Sequence, residues 1–185
     1  MQSVKPLDRR ALFISGTVGA GKTSTAEALG DWLLEHEVPH AVIDLDWLRR
    51  GWPPPPGDPF NLAAELQNLR SVARTYLQAG AVRMVIAGVL EDPSARALYE
   101  EAVGVPLTVV RLRVDLAVIR GRLVDRHRGQ HAALAWHLSR CGELNEILDQ
   151  VGVEDVVFDV GAHDVSQVAA ALIRTIGWAG PATRE

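Results

Sequence analysis

Cysteine, lysine and long apolar runs are all scarce in this sequence, and each shortage excludes something. The one cysteine, Cys141, has no partner in the chain, which excludes an internal disulfide and is compatible with a reducing cytoplasm. The longest apolar run covers residues 84–90, far short of the ~20 residues that a membrane span needs. Asp8, Arg9 and Arg10 interrupt the first stretch of the sequence, so no signal peptide is expected. We therefore predict a cytoplasmic protein with no membrane partner.

An excess of basic residues is also missing. Lysine and arginine together number 19, against 23 aspartates and glutamates, which gives a net charge of −4. Nucleic-acid binding depends on cationic side chains that displace the counterions of phosphates, so nucleic acid is not predicted as a partner. With 185 residues, 48% of them hydrophobic, the chain can bury a core, and we expect a single domain over residues 1–185.

Short apolar runs alternate along the chain with segments of helical periodicity. The runs predict five strands, at residues 11–15, 40–45, 82–87, 107–114 and 156–160. The periodic segments predict helices at about residues 23–36, 62–77, 93–103, 115–126, 134–150 and 165–176. This alternation is typical of a parallel sheet covered on both faces. We therefore predict an α/β fold, a three-layer α/β/α sandwich with a five-stranded parallel sheet.

A glycine-rich segment follows the first predicted strand. Residues 16–23, Gly-Thr-Val-Gly-Ala-Gly-Lys-Thr, match the phosphate-binding pattern G-x-x-x-x-G-K-[ST], and they lie between a strand and a helix as the pattern requires. In this pattern the lysine, here Lys22, reaches the β- and γ-phosphates, and the hydroxyl of Thr23 binds Mg²⁺. ATP and Mg²⁺ are the predicted cofactors. The residues predicted to hold the triphosphate are Gly16, Thr17, Val18, Gly19, Ala20, Gly21, Lys22, Thr23 and Ser24.

Lysine usage also bears on the kind of P-loop protein. Only two of the 19 basic residues are lysines, Lys5 and Lys22. Neither lies in the Asn-Lys-x-Asp setting with which a GTPase reads guanine, so a GTPase is not favoured. The strand at 82–87 ends without the carboxylate that motor-like ATPases use to order Mg²⁺ and water.

Two carboxylates follow the second predicted strand instead. Asp44 and Asp46 are two residues apart, so they face the same side for as long as the extended geometry lasts. The carboxyl ends of parallel strands line the ligand crevice, which predicts that both acids lie opposite the γ-phosphate. One can accept the proton of an acceptor hydroxyl and the other can organise Mg²⁺. We assign Asp46 as the base and Asp44 to the metal, with exchanged roles left open; the alternative is a solvated strand end with Asp46 as a helix N-cap.

These motifs resemble those of the small-molecule kinases of the P-loop superfamily, and adenylyl-sulfate kinases in particular. The likeness covers residues 11–95 and includes Asp44-x-Asp46-x-x-Arg49 with Arg50-Gly51, and Gln-Asn-Leu-Arg at residues 67–70. The resemblance implies a strand order of 2-3-1-4-5 and frequent homodimers. It also implies that the acceptor is contacted by Asp44, Asp46, Arg49, Asn68 and Arg70.

The chain departs from adenylyl-sulfate kinases after Gly51. Trp52, the prolines at 53–56 and Phe60 stand where those kinases have their acceptor segment. The prolines predict a stiff surface loop or, in a second interpretation, a flap at about residues 51–60 over the substrate. Phe60 belongs to the predicted acceptor site because its ring can stack on a planar group.

The second half of the chain resembles gluconate- and shikimate-type kinases, with an arginine-bearing lid at about residues 120–135. Arg122 and Arg126 share one helix face. A guanidinium can stack on adenine, the role assigned to Arg122, or neutralise charge on a transferred phosphoryl group, the role assigned to Arg126. The alternative is a solvated helix whose arginines pair with Asp115 and Asp125. By resemblance, Gly161 lies beside the adenine.

Together these observations predict an ATP-dependent kinase that transfers the γ-phosphoryl group to a hydroxyl of a small molecule. The acceptor classes considered are nucleoside-like compounds, sugars and antibiotics. The predicted catalytic residues are Lys22, Asp46 and Arg126. The alternatives are an adenylyl-sulfate kinase and a non-catalytic nucleotide-binding regulatory module. A nucleic-acid end kinase would require a local basic groove.

Overall fold

The computed structural model describes residues 8–179. In chain order, its strands and helices are β1 (Arg10–Ser15), α1 (Lys22–Glu35), β2 (His40–Asp44), α2 (Leu45–Leu48), α3 (Leu62–Gln78), β3 (Arg83–Ala87), α4 (Pro93–Val103), β4 (Leu107–Arg113), α5 (Leu116–Arg126), α6 (His131–Val151), β5 (Val156–Asp159) and α7 (Val165–Thr175). All five strands run parallel in the order β2-β3-β1-β4-β5. The predicted fold class and strand order are confirmed.

The central strand β1 separates two hydrophobic cores because successive side chains of a strand point to opposite faces. Leu12 and Ile14 are fully buried in the core that α1, α5, α6 and α7 share. Ala11 and Phe13 pack in the second core, formed with α3 and α4, where the ring of Phe13 meets Tyr99 edge-on at 5.1 Å between centroids. Helices therefore cover both faces, as the three-layer prediction requires.

Most boundaries shift by one residue or less from the sequence prediction, and two differences have a clear local cause. The second strand ends at Asp44 and not at Leu45, because the Asp44 side chain accepts a hydrogen bond from the Asp46 amide at 2.9 Å and so caps the short helix α2. Helix α6 begins at His131, three residues earlier than its apolar periodicity indicates. Its first three residues, at 131–133, carry no large apolar side chain, so the apolar periodicity begins only at Leu134.

The loop between α2 and α3 contains the proline run and has no helix or strand. Asn61 holds the base of this loop, since its side-chain amide donates to the carbonyls of Arg49 at 2.9 Å and Gly51 at 3.1 Å. The carboxylate of Asp58 accepts from the Leu62 amide at 2.8 Å, at the start of α3. That this loop acts as a flap stays a prediction.

Within residues 8–179, no helix has both the length and the apolar character needed to cross a membrane.

Candidate functional site

The glycine-rich turn lies at the carboxyl end of the central strand and leads into α1. Gly19 has a φ of 82°, and a Cβ there would lie 3.0 Å from a methyl carbon of Ile119 on α5. A Cβ on Gly16 would lie 2.9 Å from the carbonyl oxygen of Leu112 on β4. Gly16 also has a positive φ, of 150°, so glycine is needed at both positions for its conformation and for the close approach. The turn ends at the N-terminus of α1, whose free amides and dipole favour anions.

Lys22 is the first residue of α1, and its ammonium donates a hydrogen bond back to the carbonyl of Thr17 at 3.0 Å. Burial lowers the pKa of the Lys22 ammonium to about 8, while the carboxylates of Asp46 and Asp44 oppose that shift. The side chain therefore spans the turn, and its ammonium lies where it could donate hydrogen bonds to phosphate oxygens.

Asp44 connects the glycine-rich turn to the second strand. The hydroxyl of Thr23 donates to its Oδ2 at 2.7 Å, while its Oδ1 accepts from the Asp46 amide at 2.9 Å. The strand ends at Asp44, and Asp46 lies in the short helix α2. The two acids are therefore not placed by a shared strand face, as the sequence analysis expected. The N-cap of α2 is accordingly Asp44 and not Asp46. The hydroxyl and the carboxylate supply oxygen donors, which suit Mg²⁺.

A cleft of about 360 Å³ opens beside the turn, which is within the range of small-molecule sites. Residues of the predicted site that line it are Val18, Gly19, Gly21, Lys22, Thr23, Ser24, Asp46, Arg49, Phe60 and Arg126. The sequence analysis did not assign to the site the remaining lining residues Val89, Glu91, Trp136, His137, Arg140 and Leu144. We call Arg49, Phe60, Glu91, Trp136 and Arg140 the second wall of the cleft, since none of them belongs to the glycine-rich turn.

The missed residues carry signals that the sequence does offer. Trp136, Arg140 and Leu144 are spaced four residues apart on α6, so they follow one helix face. Glu91 comes shortly after β3, at the edge of the sheet where the carboxyl ends of parallel strands meet ligands. What the sequence lacks is any indication that α6 packs over that edge.

A second cavity of about 260 Å³ lies on the other side of the glycine-rich turn. Its lining combines the turn with the start of α1, the end of α5 and the segment after β5: Gly19, Ala20, Gly21, Ser24, Thr25, Arg122, Leu123, Arg126, Val160, His163, Val165 and Val168. Arg126 borders both cavities, and Arg122 borders only this one. Gly161, with a φ of 53°, directly follows Val160 but is not itself part of the lining.

Three of the residues that the resemblance implies as acceptor contacts, Asp44, Asn68 and Arg70, line neither cavity. The Asn68 side chain donates to the carbonyl of Leu48 at 2.8 Å and so secures the end of α2. The exposed guanidinium of Arg70 pairs with Glu101 at 2.9 Å. An acceptor contact by Asp44, Asn68 or Arg70 therefore stays a prediction.

The loop between α5 and α6 is the predicted lid. Arg128 pairs with Asp125 at 2.8 Å, and the imidazole of His127 stacks on that of His137 with 4.4 Å between centroids. Asp115 is occupied as the N-cap of α5. Residues 8–179 hold no group of three or more His, Cys, Asp or Glu side chains placed to bind a metal ion.

A buried acid supports Arg49 from behind the cleft. Glu65 on α3 is fully buried, contacts the guanidinium of Arg49, and accepts a hydrogen bond from the hydroxyl of Tyr99 on α4. Burial raises the pKa of Glu65, an effect that the contacts with Tyr99 and Arg49 oppose. Burial and the neighbouring Glu65 also raise the pKa of Tyr99. This network joins α2, α3 and α4 beneath the second wall.

Removing the Tyr99 hydroxyl is expected to destabilise the protein. Tyr99→Phe leaves an oxygen of the buried Glu65 without its donor, which costs about 1–3 kcal/mol of unfolding free energy. Urea denaturation followed by circular dichroism measures the change. Tyr76→Phe, at a residue that is 42% exposed, is the matched control and should stay within about 0.5 kcal/mol of wild type. Equal changes in the two variants would contradict a stabilising role for this network.

The lowered pKa of Lys22 predicts a pH dependence of phosphate binding. Phosphate oxygens favour the charged ammonium, so the pKa of Lys22 rises when phosphate binds. The affinity for ADP is therefore highest well below pH 8 and falls as the pH rises through that value. Between pH 7 and pH 9 the Kd for ADP, measured calorimetrically in EDTA, should increase about tenfold. Lys22→Met should bind ADP more weakly but with a flat profile over this interval. The same slope in wild type and variant would show that another group titrates.

Comparison with known proteins gives structural matches only, since neither a family model nor a curated protein matches the sequence. A tunicamycin resistance protein from Deinococcus radiodurans is 18% identical, with a TM-score of 0.65 over 91% of this chain and 96% of that one. A shikimate kinase from Bacteroides thetaiotaomicron is 19% identical, with a TM-score of 0.62 over 90% and 98%. An APS (adenylyl-sulfate) kinase from Mycobacterium tuberculosis, in complex with AMPPNP and APS, is 20% identical, with a TM-score of 0.58 over 93% and 99%.

These matches define the class of fold. The structural neighbours include an adenylyl-sulfate kinase, the kind that the first half of the sequence resembles, and a shikimate kinase, the kind that the second half resembles. Both cover nine-tenths or more of the chain. The chain therefore has the P-loop kinase fold. At identities of 18–20% the likeness extends to the fold, and the chemistry must come from the residues of the cleft.

Proposed function

We propose that this protein is an ATP-dependent kinase that transfers the γ-phosphoryl group of ATP to a hydroxyl of a small molecule. The observation that carries the proposal is a single cleft in which Lys22 and Thr23 of the glycine-rich turn meet the carboxylate of Asp46. A protein that only binds a nucleotide needs the first two, whereas a kinase also needs a group that receives the proton of the acceptor.

Nucleotide binding is supported by the two cavities on either side of the turn. Lys22 and the amides at the start of α1 suit the phosphates, while the second cavity offers the face of Arg122 with the apolar side chains of Val160 and Val165 for a base. Gly161 adjoins this cavity through the backbone, as the resemblance implies for the segment beside adenine. ATP is the nucleotide that we propose.

Magnesium would be held by Thr23 and Asp44 together with the phosphates. The described residues supply no metal cluster of their own, so the ion would arrive with the nucleotide. Bound there, it would neutralise phosphate charge during transfer. The chain contributes the Thr23 hydroxyl and the Asp44 carboxylate, which already lie 2.7 Å apart.

Three side chains are proposed to act on the reacting groups. Asp46, whose side chain is 81% exposed, can accept the proton of an acceptor hydroxyl that enters the cleft. Lys22 stabilises negative charge on the phosphoryl group, and Arg126, which borders both cavities, can do the same from the end of α5. Arg49 and Phe60 are proposed to contact the acceptor.

The acceptor classes that we propose are nucleoside-like compounds, sugars and antibiotics. The likeness to a tunicamycin resistance protein supports an antibiotic. Adenylyl sulfate remains the second candidate, because one structural neighbour was obtained in complex with APS. We also propose a cytoplasmic protein and, by the resemblance, one that forms homodimers; sedimentation analysis of the purified chain would check the dimer.

Acceptor-stimulated release of ADP tests the proposal. The purified protein with ATP and Mg²⁺ should release ADP slowly alone and faster with a suitable hydroxyl compound, and mass spectrometry should find that compound heavier by one phosphoryl group. Stimulation by adenylyl sulfate alone would select the second candidate. Binding of ATP by the wild-type protein, with no transfer to any compound of a broad panel, would instead identify a nucleotide-binding regulatory module.

A further inference from the structure

The cations of the second wall are already paired. Arg49 contacts the buried carboxylate of Glu65. Arg140, whose side chain is only 14% exposed, pairs with Glu91 at 2.6 Å and with Glu143 at 3.0 Å. Carboxylates at these distances compensate the charge of a guanidinium. An arginine that turned from these partners to a ligand would lose the energy of the existing ion pairs.

The other two cations of the cleft belong to its phosphate side. Among the ion pairs between described residues, neither Lys22 nor Arg126 takes part. Both line the cleft beside Gly19 and Gly21 of the glycine-rich turn, where the proposed function assigns them to the triphosphate. Once ATP is bound, the second wall retains no uncompensated cation for an acidic group of the acceptor.

A carboxylate, sulfate or phosphate on the acceptor would also meet like charge. Each arginine of the second wall has two carboxylate partners, which leaves negative charge in excess: Arg49 contacts Glu65 and lies 3.9 Å from Asp46, and Arg140 pairs with two glutamates. Like charges within a few ångströms repel, and a partly enclosed cleft screens that repulsion poorly. The electrostatics of the second wall therefore favour an uncharged ligand.

Apolar side chains complete the second wall. Phe60 and Trp136 are 48% and 55% exposed although both line the cleft, and Val89 and Leu144 adjoin them. The guanidinium carbon of Arg140 lies 5.6 Å from the centroid of the Phe60 ring, a cation–π contact that helps to orient the ring. Exposed aromatic rings in a concave site are typical of positions that a ligand covers.

Resting on the proposed function, we infer that the acceptor is an uncharged alcohol whose apolar or aromatic group covers Phe60 and Trp136. The paired state of Arg49 and Arg140 excludes anions, and the two rings give the neutral acceptor its affinity. The acidic acceptors to which the chain's resemblances point, adenylyl sulfate, shikimate and gluconate, are thus disfavoured. The preference for an uncharged acceptor therefore comes from the ion pairs of Arg49 and Arg140 as much as from the rings of Phe60 and Trp136.

Matched pairs of acceptors that differ in charge test this inference. ADP release is measured with uridine against orotidine, and with the para-carboxamide of benzyl alcohol against its para-carboxylate, within a broader panel of hydroxyl compounds. The neutral members are expected to show kcat/KM values at least about tenfold above their anionic partners. Equal or better turnover of the anionic members would overturn the inference and leave the kinase proposal standing. No stimulation by any compound would overturn both.

Substitutions in the second wall separate the two parts of the inference. Phe60→Ala and Trp136→Ala should each raise the KM for the best neutral acceptor roughly tenfold, with the Kd for ADP within about twofold of wild type. Tyr76→Ala, which removes an exposed ring of α3, is the control and should change neither value. An unchanged acceptor KM in both cleft variants would contradict the contact with the rings.

The charge part is tested by releasing Arg140. The double variant Glu91→Gln/Glu143→Gln removes both of its carboxylate partners and should raise kcat/KM for the anionic member of a pair roughly tenfold, with a much smaller change for the neutral member. An unaltered ratio between the two members would show that the pairing of Arg140 does not set the charge preference.

Discussion

Asp46→Asn is expected to lower kcat by about 10²–10⁴-fold while nucleotide affinity stays near that of wild type. A sugar or nucleoside hydroxyl is a poor nucleophile at neutral pH, and a carboxylate that takes its proton typically contributes an effect of this size. Asparagine has nearly the same shape but cannot take up the proton. The carboxylate of Asp46 is 81% exposed and its ion pair with Arg49 is long, at 3.9 Å, so the fold should be retained. Single-turnover transfer and ADP titration measure the two quantities.

Asp44→Asn is the matched comparison. Asparagine caps helices about as well as aspartate does, so α2 should be preserved, while the oxygen charge beside Thr23 is lost. We expect a raised Mg²⁺ requirement with a smaller effect on transfer at saturating Mg²⁺. If Asp44→Asn loses the chemical step and Asp46→Asn shifts only the Mg²⁺ dependence, the two roles are reversed.

Lys22→Ala is expected to lower kcat by about 10²–10³-fold. The ammonium is proposed to stabilise charge on the phosphoryl group as it is transferred, and single electrostatic contacts of this kind are typically worth ~3–4 kcal/mol. The ammonium donates one hydrogen bond within the protein, to the Thr17 carbonyl at 3.0 Å, so its loss should leave the fold intact. Thermal unfolding and acceptor-stimulated ADP release measure both effects.

A surface cation supplies the control for this substitution. Arg74 lies exposed on α3 and lines neither cavity, so Arg74→Ala removes one positive charge without touching the cleft or the predicted lid. Its turnover should stay within a few-fold of wild type. Turnover of Lys22→Ala in the same range would reject its role at the phosphates.

The fold and the phosphate side of the site could be predicted because their signals are local. The glycine-rich segment is one contiguous motif whose geometry follows from glycine, lysine and a helix N-terminus. The sheet follows from alternating strands and helices, since right-handed crossovers leave few arrangements open. The strand order needed the resemblance, and the structure confirms it.

The second wall could not be predicted because it is assembled from distant segments. Its residues include Phe60, Glu91 and Arg140, and the first and last of these are 80 positions apart in the sequence. Only tertiary packing brings them to one cleft. Glu65 shows a signal that was available: it lies on the same face of α3 as Leu62 and Leu69, which predicts a buried acid that requires a partner. The sequence does not reveal that the partners are Arg49 and Tyr99.

The two sides of the cleft have separate origins in the chain. Lys22 and Thr23 begin α1, directly after the turn that follows the central strand, and Asp44 ends β2. Phe60 comes from a loop and Trp136 from the exposed face of α6. Changes in the loop and in α6 can therefore accumulate without disturbing the residues that hold phosphate, because effects at separate sites are close to additive. Such a division makes the molecule evolvable: one phosphate-handling unit can be paired with new ligand preferences through substitutions that leave the sheet untouched.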